Sequence, residues 1–320
     1  MSSTFLSQLP LSRQEIDRDH ETRSRAGLFD ELWADPTTRL LPLWRGRALA
    51  AETFSERPAL AFVPTSAVHS HELWVYLGIS LSRTSPEPVG TRLVLVVVDD
   101  DEAERLEPDE ARWLNLREVA TTLSDRDAGA FVQSLAIAGW HASHSHSPRS
   151  GAETVPEKGG WVRRDPELGV ELFPRTDAAV IVGIVDENDR MLLGSNAMWK
   201  QNRYSLLAGF VEPGESFESA AQREVFEESG VRILPPEYLG SQPWPFPASL
   251  MVGFIARVDP AFAHEALKPD GEEILDLRWF SRQEIADPKN GIALPGPSSI
   301  AHAIIERWYG GPLPEEALAW

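Results

Sequence analysis

Cysteine is absent from the 320 residues of this chain. That excludes a disulfide framework and any thiolate metal site. Long apolar runs are missing too: none approaches the ~18 residues of a membrane span, and Ala178 to Val185 is among the longest. Basic residues are in deficit, with 30 Lys and Arg against 49 Asp and Glu and a net charge of −19. A body this acidic repels phosphate backbones, which speaks against broad nucleic-acid binding. A small phosphate compound can still enter with a divalent cation, which reverses the local sign. The first ten residues lack the basic start and apolar core of a signal peptide. Together these absences lead us to expect a cytoplasmic protein with no membrane partner.

What is present is ordinary for a globular protein, 42% hydrophobic and 25% charged, at a length that suits roughly two domains. Runs of strand character cover Arg39 to Trp44, Ala59 to Val63, Glu72 to Ile79 and Arg92 to Val98. The carboxylate run Asp99 to Glu102 then reads as a solvated loop. Ser124 is an N-cap candidate for a helix whose apolar period lasts to about Ser143. Residues 1–25 read as a loose arm with a helical portion. The β-branched run Ala178 to Val185 predicts a central strand, Asp186 to Asp189 a turn and Arg190 to Leu193 a return strand. Ser281 to Glu284 predicts a capping box, and Ser298 or Ser299 opens the last helix.

The densest chemistry lies between Gly209 and Val231, where 23 residues hold Glu212, Glu215, Glu218, Glu224, Glu227, Glu228 and Arg223. Pro213-Gly214 predicts a turn, Ser216 a helix start and Gly230 its stop. At 100° per residue, Glu224, Glu227 and Glu228 share an arc of about 100°. Three convergent carboxylates repel one another, so a positive charge belongs among them. Hard divalent cations such as Mg²⁺ take carboxylate oxygens and carry phosphate substrates.

The spacing Gly209, Glu215, Arg223-Glu224-Val225, Glu227-Glu228, Gly230-Val231 resembles the signature of the Nudix hydrolases at every defining position. That resemblance implies a loop–helix–loop metal site cleaving a diphosphate linked to another moiety. Ten residues separate Gly230 from the stretch Ser241-Gln-Pro-Trp-Pro-Phe-Pro-Ala-Ser249. Its prolines argue against a ladder-forming strand and present Trp244 and Phe246 from a stiff loop. This element closely resembles one found in the NAD(H) diphosphatases, whose bacterial members also remove NAD caps from RNA. The likeness runs from about Trp113 to the C-terminus.

It implies an α/β fold: a Nudix α/β/α sandwich with a mixed sheet (residues 175–320), preceded by an α+β N-terminal domain (1–139) and a cysteine-free remnant of a zinc ribbon (140–174). Ser147, Ser150, Asp165 and Leu168 stand at the four positions where the family carries zinc-binding cysteines. No structural zinc is expected, since this set cannot close a Cys₄ tetrahedron. Packing by Trp140, Trp161 and Phe173 is expected to stand in for the metal. Metal binding by His141, His144 and His146 is a minor alternative.

By the same resemblance Glu224, Glu227 and Glu228 are metal ligands, Glu273 is a fourth, and Glu228 is the proton acceptor. Mg²⁺ or Mn²⁺ is the implied cofactor. Arg223 pairs with Glu215 to orient the helix, and Gly209 and Gly230 are structural positions. Phe173 and Phe210 match base-stacking aromatics, while Gln242, Ser249, Met251 and Ala301 match ligand-site positions. Lys200 and Arg203, just before the box, read equally as groups that steady phosphate oxygens or as solvated loop charges. The implied substrate is NAD(H) or the NAD-capped 5′ end of RNA, handled by a homodimer. Another nucleoside diphosphate derivative, such as ADP-ribose or a dinucleoside polyphosphate, or a non-catalytic nucleotide sensor, remains an alternative.

Overall fold

The computed structural model describes residues 5–52, 57–199, 202–263 and 266–318. The chain divides into two compact units, one built from Arg13–Thr176 with Pro245–Ala248, the other from Met1–Ser12, Asp177–Trp244 and Ser249–Trp320. Among the described residues no helix is long and apolar enough to cross a membrane.

The first unit carries strands β1 (Ile16–Asp17), β2 (Arg39–Trp44), β3 (Arg47–Leu49), β4 (Val63–Pro64), β5 (Leu73–Ser80), β6 (Arg92–Val97) and β7 (Trp113–Leu114). They form one sheet in the order β1-β5-β6-β2-β3-β7, with β4 beside β2. Helices α1 (Leu28–Ala34), α2 (Asp100–Leu106), α3 (Leu116–Val119) and α4 (Asp125–Ser143) accompany it. The expected strand at Ala59 to Val63 shrinks to β4 and a bridge between Ala50 and Leu60. Helix α4 starts where its cap predicts, with the Ser124 side chain accepting from Asp127 N.

The Asp99 to Glu102 run is not a solvated loop. Asp99 caps α2 by accepting from Glu102 N, and the acids occupy the first turn, where the helix dipole favours them. Glu102 is buried and bonded by Arg105 and by His69 N, with Arg105 foremost in holding its carboxyl down to about 2. The same unit ends in a small sheet of β8 (Val155–Glu157), β9 (Val162–Arg164) and β10 (Glu171–Leu172), in the order β10-β9-β8.

In the second unit β11 (Asp177–Val185) is the axis. It pairs parallel with β15 (Ser249–Arg257), and antiparallel with β12 (Met191–Asn196) at one end and β13 (Leu207–Phe210) at the other. Strands β14 (Glu237–Trp244) and β16 (Ile274–Phe280) complete the mixed sheet as its edges. Strand alternation sends β11 side chains to two cores. Val180, Val182 and Ile184 pack with Ala220, Ala221 and Val225 of α5 (Phe217–Ser229). Ile181 and Val185 pack with Ile300, Ile304 and Ile305 of α7 (Ile300–Tyr309). The result is an α/β/α sandwich. Helix α6 (Arg282–Ala286) opens with the capping box of Ser281 and Glu284.

Two expectations change here. The stretch Phe5 to Ser12 is no loose arm: Phe5 and Leu9 are buried in the α7-side core, and Ser12 Oγ donates to Ser241 O. The prolines of Ser241 to Ser249 do not prevent a ladder, because β14 is an edge strand whose Pro243 and Trp244 face Leu250 and Ser249. An edge proline needs no partner for its missing N–H.

Candidate active site

Strand β13 delivers the chain to the turn at Pro213-Gly214, where Gly214 takes a φ of +98°. Ser216 then caps α5 by accepting from Ser219 N at 3.1 Å. Gly230 ends the helix in the left-handed region, φ +72°, as its lack of a Cβ allows. The carboxylates therefore sit on a helix whose two ends are set by local chemistry.

Arg223 is the hub of the group. Its guanidinium donates to Glu215 at 2.5 Å, Glu224 at 2.8 Å and Glu227 at 2.9 Å, and to the carbonyl of Phe210 at 3.0 Å. The Glu215 contact is foremost in driving the arginine further up from its already high pKa. Glu215 also accepts from Glu212 N, so it braces the loop before the helix. The predicted Glu215–Arg223 bridge is present.

Glu228 is the unusual member. It is buried, and its Oε2 has no hydrogen-bond partner. Burial first, then the charges of Glu273, Glu224 and Asp270, push its carboxyl up to about 8. Burial likewise raises Glu224. A carboxyl with an orphaned buried oxygen among three other acids is suited to a cation.

Gly209 shows the same crowding from the strand side. A Cβ there would lie 2.0 Å from Glu224 Cδ and 2.2 Å from both Glu224 oxygens. This glycine is needed for space beside a carboxylate, since its φ lies outside the left-handed region.

The four predicted metal ligands are not closed around one point. Arg223 holds Glu224 and Glu227, Glu227 is exposed, and among the described residues no three acids or histidines converge to metal-binding geometry. Glu273 lies on an exposed loop, its carbonyl accepting from Ala197 N at 2.9 Å. The donor chemistry and the orphaned Glu228 oxygen fit a divalent cation, while the arginine occupies part of the set.

Other predicted residues separate. Ser249 and Met251 begin β15 and are half-buried, whereas Ala301 is fully buried in α7. Gln242 belongs to the interior: it is buried, accepts from Leu11 N and donates to Ser298 O, so its amide is already committed. Phe210 is exposed beside the box, and Phe173 is exposed in the first unit. Arg203 is half-buried in a bridge to Ala293, and Lys200 lies outside the described residues.

The segment read from sequence as a ribbon remnant is organised around one carboxylate. Asp165 is buried and accepts from Ser150 Oγ at 2.6 Å and from the backbone of Glu167 and Leu168 at 2.9 and 3.0 Å. The Ser147 hydroxyl leads these contacts in holding its carboxyl down to about 2. Phe173 is exposed and so does not pack there as expected, while hydrogen bonds to Asp165 tie the four positions together. His141 is buried against Gly160 O and Arg163, while His144 and His146 bond the neighbouring serines Ser143 and Ser145. The reading from sequence missed the Asp165 hub and the place of Asp270. Its only signal for the first was an aspartate at a position where the resembling family carries a cysteine.

A family model described as NUDIX domain matches residues 174–298, and one described as NADH pyrophosphatase-like rudimentary NUDIX domain matches residues 37–140. Over 208 residues the chain is 42% identical to a protein named NAD-capped RNA hydrolase NudC from Mycobacterium bovis, a match covering 62% of this chain and 66% of that protein. It is 36% identical over 200 residues to a Homo sapiens protein named NAD-capped RNA hydrolase NUDT12, covering 58% of this chain and 42% of the relative. The chain thus spans just under two thirds of the length of the first of these curated relatives.

Proposed function

Because this chain belongs to the Nudix family, we propose that it hydrolyses the diphosphate of NAD(H), giving AMP and nicotinamide mononucleotide, and that it also removes NAD caps from RNA. The observation that carries this reading is the box helix with its full carboxylate set, above all the buried, unpartnered oxygen of Glu228. The rudimentary NADH pyrophosphatase-like region and the names of the relatives support the choice of dinucleotide.

In this reading Glu224, Glu227, Glu228 and Glu273 hold Mg²⁺ or Mn²⁺. When bound, such a cation neutralises diphosphate charge and lowers the pKa of a water ligand. Glu228 takes the proton of the attacking water; a carboxyl pushed up to about 8 becomes an acceptor once positive charge offsets its neighbours. The water oxygen bonds to one phosphorus, the bridging P–O bond breaks, and the departing nucleotide carries away the bridging oxygen. Arg223 keeps Glu215 and the helix in register with β13. The exposed rings of Phe210 and Phe173 offer faces on which a base can stack. We place the enzyme in the cytoplasm as a homodimer.

The test is product analysis after incubation with NADH, ADP-ribose and NAD-capped RNA in the presence of Mg²⁺ or Mn²⁺, with Glu228→Gln alongside. AMP from NADH in the parent and its loss in the variant are expected. Absence of AMP, or equal turnover by the two proteins, rejects the reading.

A further inference from the structure

The loop that presents Glu273 is fastened by a residue with no assigned role. Asp270 Oδ1 accepts the backbone N–H groups of Glu272, Glu273 and Ile274, each at 2.9 Å. Gly271 sits inside this turn with φ +79°, and its N–H donates to Ile274 O at 3.2 Å. Beyond it, Ile274 is buried in the α5-side core and the Glu273 carbonyl accepts from Ala197 N at 2.9 Å. The backbone of Glu273 is thus held from three directions: by the core through Ile274, by the end of β12 through Ala197, and by one carboxylate oxygen.

We infer that Asp270 is a positioning residue: its Oδ1 sets the backbone from which Glu273 reaches the carboxylate cluster of α5, and so sets the divalent-cation affinity of the site. The inference rests on the proposed reading for the role of Glu273. Two physical points carry it. Three N–H groups converging on one oxygen fix the φ and ψ of three successive residues, whereas a solvated loop acid restrains none. The cluster it serves contains a buried carboxylate oxygen without a partner, so the position of a further carboxylate there has consequences for charge. The side chain of Asp270 is exposed, and its loss removes little buried surface.

The experiment measures Mn²⁺ binding by the full chain, from the electron paramagnetic resonance signal of free Mn²⁺, beside the kinetics of NADH hydrolysis. Asp270→Ala is expected to weaken Mn²⁺ binding about 10-fold or more, the usual effect of removing a group that orients a ligand, with KM for NADH within about twofold. Asp270→Asn keeps an amide oxygen in place of Oδ1 and is expected to stay within about threefold of the parent. In a Glu273→Ala background, Asp270→Ala is expected to add less than about twofold, because it acts through the missing residue.

Parent-like Mn²⁺ binding by Asp270→Ala overturns the inference. So does an Asn variant as weak as the Ala variant, which would assign the effect to charge rather than to an acceptor, and so does a full further loss in the Glu273→Ala background. If the parent binds Mn²⁺ with this mutant pattern yet releases no AMP from NADH, the substrate reading fails and the positioning role stands. A parent that binds no Mn²⁺ overturns both.

Discussion

Adding one methyl group at Gly209 is a sharp perturbation of the site because its consequence falls on one side chain. The new Cβ would stand 2.0 Å from Glu224 Cδ and 2.2 Å from each carboxylate oxygen. Ordinary contact begins near 3.4 Å, so the carboxylate must withdraw by more than about 1 Å. The clash is with the end of a flexible side chain and the backbone of Gly209 is compatible with alanine, so folding is spared. Alanine within a strand is even favoured over glycine by about 0.5–1 kcal/mol. Turnover is different, since a displacement of about 1 Å in a reacting constellation costs on the order of 10²-fold. That corresponds to about 2.7 kcal/mol of transition-state stabilisation. The assay is kcat for NADH at saturating divalent metal, with thermal unfolding as the companion measurement. Gly209→Ala is expected to melt at or above the parent temperature and to turn over about 100-fold more slowly. Turnover within about twofold of the parent would refute the steric role. A large loss of stability would refute the claim that only a side-chain end has to move.

Further outcomes follow from the two hubs. Arg223→Lys keeps the charge but lacks the fork that serves Glu215, Glu224 and Phe210 O together, so kcat should fall about 10-fold, checked by steady-state kinetics. Arg223→Met leaves partly buried carboxylates uncompensated and should lower stability in denaturant titration by about 2 kcal/mol, less than for a fully buried pair. Acid should weaken the first unit in two stages. Burial is foremost in lowering His141 from 6.5 to about 4, so its contribution is full above pH 6.5 and is lost as pH falls through about 4. Asp165, lowered from 3.8 to about 2, contributes fully above pH 3.8 and is lost as pH falls through about 2. Unfolding midpoints of the parent and of Asp165→Asn across this range should differ, with the second stage missing in the variant. Cysteines at Ser147, Ser150, Asp165 and Leu168 together should create a zinc-dependent melting temperature, which the parent is expected to lack.

Much of the fold was legible because its signals are local. The Ser124 cap, the β-branched run of β11, the Ser281 capping box and the Gly230 stop each depend on neighbours a few residues away. The Asp99 to Glu102 run misled because a row of acids reads alike in a solvated loop and in the first turn of a helix. Gln242 and the prolines around it misled for another reason: whether an amide meets a ligand or Leu11 and Ser298, and whether a strand is central or at an edge, depends on residues far along the chain.

By itself the sequence determined the carboxylate helix and its caps, since helical periodicity and local capping place those groups without outside help. The Arg223–Glu215 brace, eight residues apart with Glu215 ahead of the helix, was implied only by the family resemblance. Tertiary structure alone decided that Glu228 is buried with an unpartnered oxygen, that Glu224 lies against a residue with no side chain, and that Asp165 gathers Ser150, Glu167 and Leu168 by hydrogen bonds. Burial and close approach are properties of surfaces brought together from distant parts of the chain, and no local spacing encodes them.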